Sequence, residues 1–239
     1  MTEIREGKPP LRRYAAEVLT IVVGVLLALA ADAGRQYLAD RATEREILAA
    51  LRVEFAADVR EIGADQNRRA RKLAAIALLD RERTGDPDDP PPDTLAAAVA
   101  LSMDWRWYTA SHPVLDDVLS TGRLELLRSV DLRRALMDFG QERARLAVIE
   151  QGEREFVARE VEPYLASRLD LSGLASPRSP EQRAAAMRAL PDLLADQTFG
   201  SLLYLDRART ESSRDYAAGL LDKVSAVQAA LGPERPDLP

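Results

Sequence analysis

Residues 14–35 read Tyr14-Ala-Ala-Glu17-Val-Leu-Thr-Ile-Val-Val-Gly24-Val-Leu-Leu-Ala-Leu-Ala-Ala31-Asp32-Ala-Gly-Arg35. From Tyr14 to Ala31 the only charge is Glu17, and from Val18 to Ala31 there is none. At 1.5 Å per residue the uncharged run spans about 21 Å as a helix, short of a hydrocarbon core of roughly 30 Å. Counted from Tyr14 the reach is about 27 Å, so the segment crosses a bilayer if Glu17 and Asp32 lie near its two interfaces. Arg13 stands four residues before Glu17 and can pair with it on one helix face while reaching headgroups.

Three readings fit this segment: a retained signal anchor, a cleaved signal peptide and the buried helix of a soluble protein. The basic tail, with Arg5, Lys8, Arg12 and Arg13, and the small residues of Ala31-Asp32-Ala33 suit cleavage. Against it, helix-forming sequence continues past Asp32 with no proline until Pro87. The retained anchor, over residues 14–34 and preceded by a short basic tail at 1–13, is therefore the expectation. Glu17, Thr20, Gly24, Ala28 and Ala31 follow three- and four-residue steps and share one small or polar face. Small residues let helix backbones approach closely in lipid, so this face is a candidate for helix–helix association.

Outward from the anchor, the apolar pattern stays helical. From Arg35 to about Arg83 the stripe is Leu48, Leu51, Phe55, Val59, Ile62, Leu73, Ile76 and Leu79, broken by Asp65, Arg68 and Arg69, where poor packing is expected. A proline-rich loop at 84–93 ends this helix, and Asp93 is placed to cap a short helix through Ser102. Ser111-His112-Pro113 opens another, which stops at Gly122. Ser129 or Asp131 caps a long helix through about Leu169, with a stripe of Leu132, Leu136, Phe139, Leu146, Ile149, Phe156 and Tyr164 and a kink at Pro163. After a loop at 170–179, Ser179-Pro180 begins a short helix ending near Pro191. The last helix runs from about Thr198 to Leu231 on Leu202, Leu205, Tyr216, Leu220, Val224, Val227 and Leu231, leaving residues 233–239 as a disordered tail.

No strand-period alternation is long enough for a sheet. The expected fold is all-α: the transmembrane helix continues into an elongated antiparallel helical bundle over residues 35–232, with three long, coiled-coil-like helices. Composition agrees, since Ala, Leu, Arg and Glu are strong helix formers.

Two segments together resemble a family. Glu17-Val-Leu-Thr-Ile-Val-Val-Gly-Val-Leu-Leu-Ala-Leu29, and Tyr108 followed by Leu115, Leu119-Ser-Thr-Gly-Arg-Leu-Glu-Leu-Leu127, Leu132 and Leu136, are similar to a bacterial family of uncharacterised, singly anchored helical membrane proteins, a domain of unknown function. That family carries Asn-Asn-Trp after its apolar run, where this chain has Asp32-Ala33-Gly34. The resemblance implies a retained anchor and a helical domain, and no known activity.

Chemistry has few places to sit. With no cysteine there are no disulfides, thiolate metal sites or Cys nucleophiles. The net charge of −6 gives no basic footprint for nucleic acid, which is not an expected partner. His112, the one histidine, lacks a metal-spaced mate and is expected to cap a helix or sit on the surface. Asp116 and Asp117 point apart on a helix, and Ser120-Thr121-Gly122 lacks a nucleophile elbow. Trp105, Trp107, Tyr108 and His112 form a candidate ligand-binding or bundle-capping cluster. No catalytic, metal or cofactor residues emerge, and an enzyme is not expected.

The expected function is a membrane-anchored interaction or scaffold protein of a bacterial cytoplasmic membrane. Its expected partners are lipid and either a second copy or the subunits of a larger complex. The N-terminus is expected in the cytoplasm and the bundle outside, on a small excess of Lys and Arg before the span. The alternative is an extracytoplasmic ligand-sensing domain that signals through a partner.

Overall fold

The computed structural model describes residues 11–85, 90–104, 108, 111–172 and 180–233, with the backbone alone at 11–16 and 183. Among these residues the secondary structure is helical and no strand occurs. The chain comprises α1 (Leu11–Thr84), α2 (Pro92–Ser102), α3 (Pro113–Ser120), a 3-10 turn (Arg123–Leu126), α4 (Val130–Phe156), a π turn (Val157–Val161), α5 (Glu162–Arg168), α6 (Pro180–Ala195) and α7 (Gln197–Leu231). Contacts group it into two units, residues 1–49 and 50–239. The division falls inside α1, later than the Gly34–Arg35 boundary expected from the sequence.

In the first unit α1 includes a stretch long and apolar enough to cross a membrane, near the N-terminus. Its apolar side chains from Val18 to Leu29 are 45–66% exposed among the described residues.

In the second unit three helical runs pack along one another. Arg52 Nη2 donates to the Leu231 carbonyl at 2.9 Å, Gln66 Nε2 to that of Arg214 at 2.9 Å, and Arg83 Nη1 to that of Asp196 at 2.6 Å. Partners on α7 thus recede as α1 advances, and the two helices are antiparallel. α1 and α4 are parallel: Phe55 meets Phe139 edge-on at 4.8 Å between ring centres, and further along both helices Lys72 Nζ lies 3.1 Å from Glu153 Oε1. Parallel neighbours need a return connection, and residues 85–129, with α2 and α3, supply it.

The buried seam is a strict heptad. On α1 it runs Leu51, Phe55, Asp58, Ile62, Asp65, Arg69, Lys72, Ile76, Leu79; on α7 it runs Phe199, Leu203, Asp206, Thr210, Ser213, Ala217, Leu220, Val224, Val227, Leu231. Several positions expected in the core are displaced by one residue. Val59 and Leu205 are exposed and Leu73 and Ile149 half-buried, while Asp58, Asp206, Lys72 and Glu150 are buried beside them; Tyr216 is likewise exposed. The break at Asp65, Arg68 and Arg69 is not loose packing, because Asp65 and Arg69 are core positions.

Ends follow local chemistry. Ser129 Oγ accepts from Leu132 N at 3.1 Å and caps α4, and Asp196 Oδ1 accepts from Thr198 N at 2.7 Å and caps α7. Gly122, at φ +76°, makes the left-handed step that follows α3. Asp93 lies in the first turn of α2, whose N-cap position is Pro91, so it is not the N-cap residue. Pro191 does not end α6 either: the helix runs on to Ala195, held by Leu190, Leu193 and Leu194 in the core. Pro163 has no N–H for the Arg159 carbonyl, and the helix accommodates it with the preceding π turn, where Glu162 N–H reaches back to the Val157 carbonyl. The extra residue moves the buried face to Val157, Val161 and Leu165.

Candidate functional site

Between two apolar stretches of the heptad seam lies a layer of charge. From α1 it takes Asp65, Arg69 and Lys72, from α4 Glu150 and Glu153, and from α7 Asp206, Thr210 and Ser213; none is more than 6% exposed. The spacings i, i+4 and i+7 on α1 place three polar groups on the face that elsewhere carries Ile62 and Ile76.

Arg69 is the hub. Its Nε donates to Asp65 Oδ2 at 2.7 Å, Nη1 to Glu153 Oε2 at 3.2 Å and to Ser213 Oγ, and Nη2 to Glu150 Oε1. A planar guanidinium with five donors suits several acceptors around one plane. Ser213 Oγ passes its own hydrogen to Glu153 Oε2 at 2.8 Å, and Thr210 Oγ1 donates to Glu153 Oε1 at 3.2 Å. Lys72 Nζ bridges Glu153 Oε1 at 3.1 Å and Asp206 Oδ1 at 2.9 Å. Asp206 thus depends on a cation that it shares with Glu153.

The environments separate the acids. Burial pushes Glu150 up to about 7, against the opposing pull of Arg69. Burial likewise raises Asp206 to about 6, although Lys72 opposes it. Glu153 is buried too, but Lys72, Arg69 and the Ser213 hydrogen bond together hold it below the usual carboxylate range. Burial alone would lower Arg69; its three carboxylates outweigh that and raise it.

A second polar group adjoins this layer. Tyr108 Oη donates to Asp58 Oδ1 at 2.6 Å, and His112 Nε2 lies 2.9 Å from both Asp58 oxygens, beside the Phe55 and Phe139 rings. Burial, then the Asp58 hydrogen bond, push the Tyr108 phenol well above its ordinary value. The backbone of Tyr108 also lowers Glu150, which brings the two groups next to each other.

Of the residues singled out in the sequence, Tyr108 and His112 do come together, on Asp58. His112 occupies the N-cap position of α3, but its side chain is neither a cap nor at the surface. Glu54 of α1 caps instead, accepting from Val114 N at 2.8 Å and Leu115 N at 3.3 Å, and the imidazole is left to the core. Trp105 and Trp107 lie outside the described residues, as does the Arg13 side chain expected to pair with Glu17. Glu17, Thr20, Gly24, Ala28 and Ala31 are all exposed on α1. Asp116 and Asp117 pair separately, with Arg143 and Arg123.

Sequence reasoning missed the charged layer because an apolar residue stands beside each of several buried polar ones. The available signal was the seven-residue period itself, which Asp58, Asp65, Arg69 and Lys72 continue without a break. Among the described residues no group of His, Asp and Glu is arranged to hold a metal ion; in the charged layer Arg69 and Lys72 already occupy the carboxylates. Comparison with protein-family models, with curated proteins and with solved structures finds no match to this chain.

Proposed function

We propose that the chain is a membrane-anchored helical interaction protein. In this reading residues 14–34 stay in a bacterial cytoplasmic membrane, and the helical domain associates with a second copy or with a larger membrane complex. The observation that carries it is the uncovered apolar stretch from Val18 to Leu29, which lipid would cover. The unbroken helix from Leu11 across Asp32 supports retention over cleavage, because processing sites favour extended or turn-like backbone. The resemblance to singly anchored helical proteins agrees in kind.

Gly24 has nothing within 4 Å of where a Cβ would stand, so its face is open to a neighbouring helix. The sensing alternative draws no support from Tyr108 and His112, whose Oη and Nε2 turn inward to Asp58. Four basic residues, Arg5, Lys8, Arg12 and Arg13, favour a cytoplasmic N-terminus. Fractionation with mass spectrometry of the mature N-terminus tests the anchor: the expected product is membrane-bound and retains residues 1–13, and a soluble product beginning near Gly34 would sink the reading. Gly24→Leu and Ala28→Leu are expected to weaken self-association in a transmembrane association assay. A C-terminal alkaline phosphatase fusion is expected to be active, and a dark phosphatase beside a bright green fluorescent protein fusion would reverse the orientation.

A further inference from the structure

The charged layer is unequal inside. Four carboxylates, Asp65, Glu150, Glu153 and Asp206, face two buried cations, Arg69 and Lys72. Arg68 reaches Asp65 at 3.1 Å from a partly exposed position, and Arg209 approaches Asp206 from the exposed rim, over the Phe156 ring. Water screens charges there far better than in the core. Asp206 is 2% exposed, and its one buried cation, Lys72, is shared with Glu153, as Glu150 shares Arg69 with Asp65 and Glu153. A buried carboxylate left so is costly as an anion, and a proton removes the charge.

We propose that the layer is a proton-binding site in which Glu150 and Asp206, each held by one shared buried cation, take up protons against the fixed charges of Arg69, Lys72, Asp65 and Glu153, so that the domain tightens on mild acidification. This goes beyond the interaction reading and does not depend on it. The groups facing the two acids come from every packed element: Asp65, Arg69 and Lys72 of α1, Tyr108 preceding α3, Glu153 of α4 and Arg209 of α7; behind them Arg68 meets Asp65, Asp58 and His112 lie on the Tyr108 side, and Thr210 and Ser213 hold Glu153. Both acids are raised above their ordinary range, to about 7 and about 6. The folded chain therefore binds more protons than the unfolded one between the ordinary carboxylate range and neutrality, and stability falls as pH rises through that window. Glu153 acts oppositely: being lowered, it withdraws its contribution only in stronger acid.

The test uses the full chain in mild detergent. Infrared titration between about pH 5 and pH 8 is expected to show the carbonyl band of a buried carboxylic acid fading as pH rises, and Glu150→Gln and Asp206→Asn are each expected to diminish it. The apparent melting temperature of the wild type is expected to rise by several degrees on going from about pH 8 to pH 5.5, since each 1 kcal/mol moves it by about 2–4 °C in a domain of this size. That slope is expected to flatten in both variants. Absence of the band throughout the range, or a band and slope unchanged in both variants, overturns the proposal. If neither variant folds, the wild-type infrared titration alone decides it.

Discussion

Replacing Arg69 by Met keeps most of the side-chain volume and removes the charge that Asp65, Glu150, Glu153 and Ser213 share. Three carboxylates, none more than 6% exposed, then lose their common donor, with Lys72 still on Glu153 and Arg68 on Asp65. Removing one partner of a buried ion pair costs about 3–5 kcal/mol, because the other charge stays buried without compensation. Domains are stable by roughly 5–15 kcal/mol, so the loss is a large share of the total. The deficit is expected to depend on pH with a definite sign. Glu150, already raised by burial, loses the Arg69 charge that pulled it down and rises further. Glu153 loses part of what held it low. Both changes make the variant take up protons more readily, so its deficit is largest in alkali and shrinks as pH falls through the window between neutrality and the ordinary carboxylate range. Arg69→Lys, which keeps the charge but not the planar fork, is expected to fall between. Urea denaturation followed by circular dichroism at several pH values measures all of this. A loss under about 1 kcal/mol near neutrality, or a deficit that grows on acidification, would refute the reasoning.

Two further substitutions probe the surroundings of the layer. Tyr108→Phe removes the hydroxyl that donates to Asp58 at 2.6 Å and leaves a buried carboxylate short of a donor; a loss of about 1–3 kcal/mol is expected, measured as a shift in the urea midpoint, and Asp58→Asn in the same background should recover part of it. Gly200→Ala puts a methyl group onto the Arg83 guanidinium, whose Nη1 bridges the Leu194 and Asp196 carbonyls at 2.6 Å each; the expected cost is about 1–3 kcal/mol, and in an Arg83→Ala background most of it should vanish in a double-mutant cycle.

How far the sequence could be read depended on which physical signal each feature carries. Helix existence was legible, because strong helix formers recur at three- and four-residue steps and local chemistry marks the ends: Ser129 before α4, Pro113 opening α3, Gly122 after it. The apolar stretch was equally plain, since a charge-free run needs no partner to be recognised. The phase of the buried faces was not. Val59, Leu73 and Leu205 each satisfy a hydrophobic stripe as written, yet each stands one residue from the true seam. A polar residue enters a core only where its counterpart waits on another helix, and that counterpart is tens of residues away in the chain. Arg69 and Glu150 illustrate this, and so do Lys72 and Asp206. His112 was misjudged for the same reason, its partners being Asp58 and the helix-capping Glu54 on α1.

The placement of the charged layer has a consequence for how the three helical runs choose their alignment. A strict heptad on α1 and α7 looks much alike when one helix slides by seven residues, because apolar positions again meet apolar positions. Charge removes that degeneracy. Moving α7 by one heptad in one direction would set Asp206 against Leu79 and Leu220 against Arg69, and in the other would carry Asp206 past Lys72 toward Asp65 and Arg69 and leave Phe199 against Lys72. Either shift separates Asp206 from Lys72, and breaking a buried ion pair costs about 3–5 kcal/mol. The same holds for α4, where a slide of seven would take Glu150 and Glu153 away from Arg69 and bring Leu146 or Val157 into their place. An apolar layer at these positions would pack as well in several alignments. The ion pairs of the layer form together in one, so charge at the centre selects among otherwise interchangeable heptads.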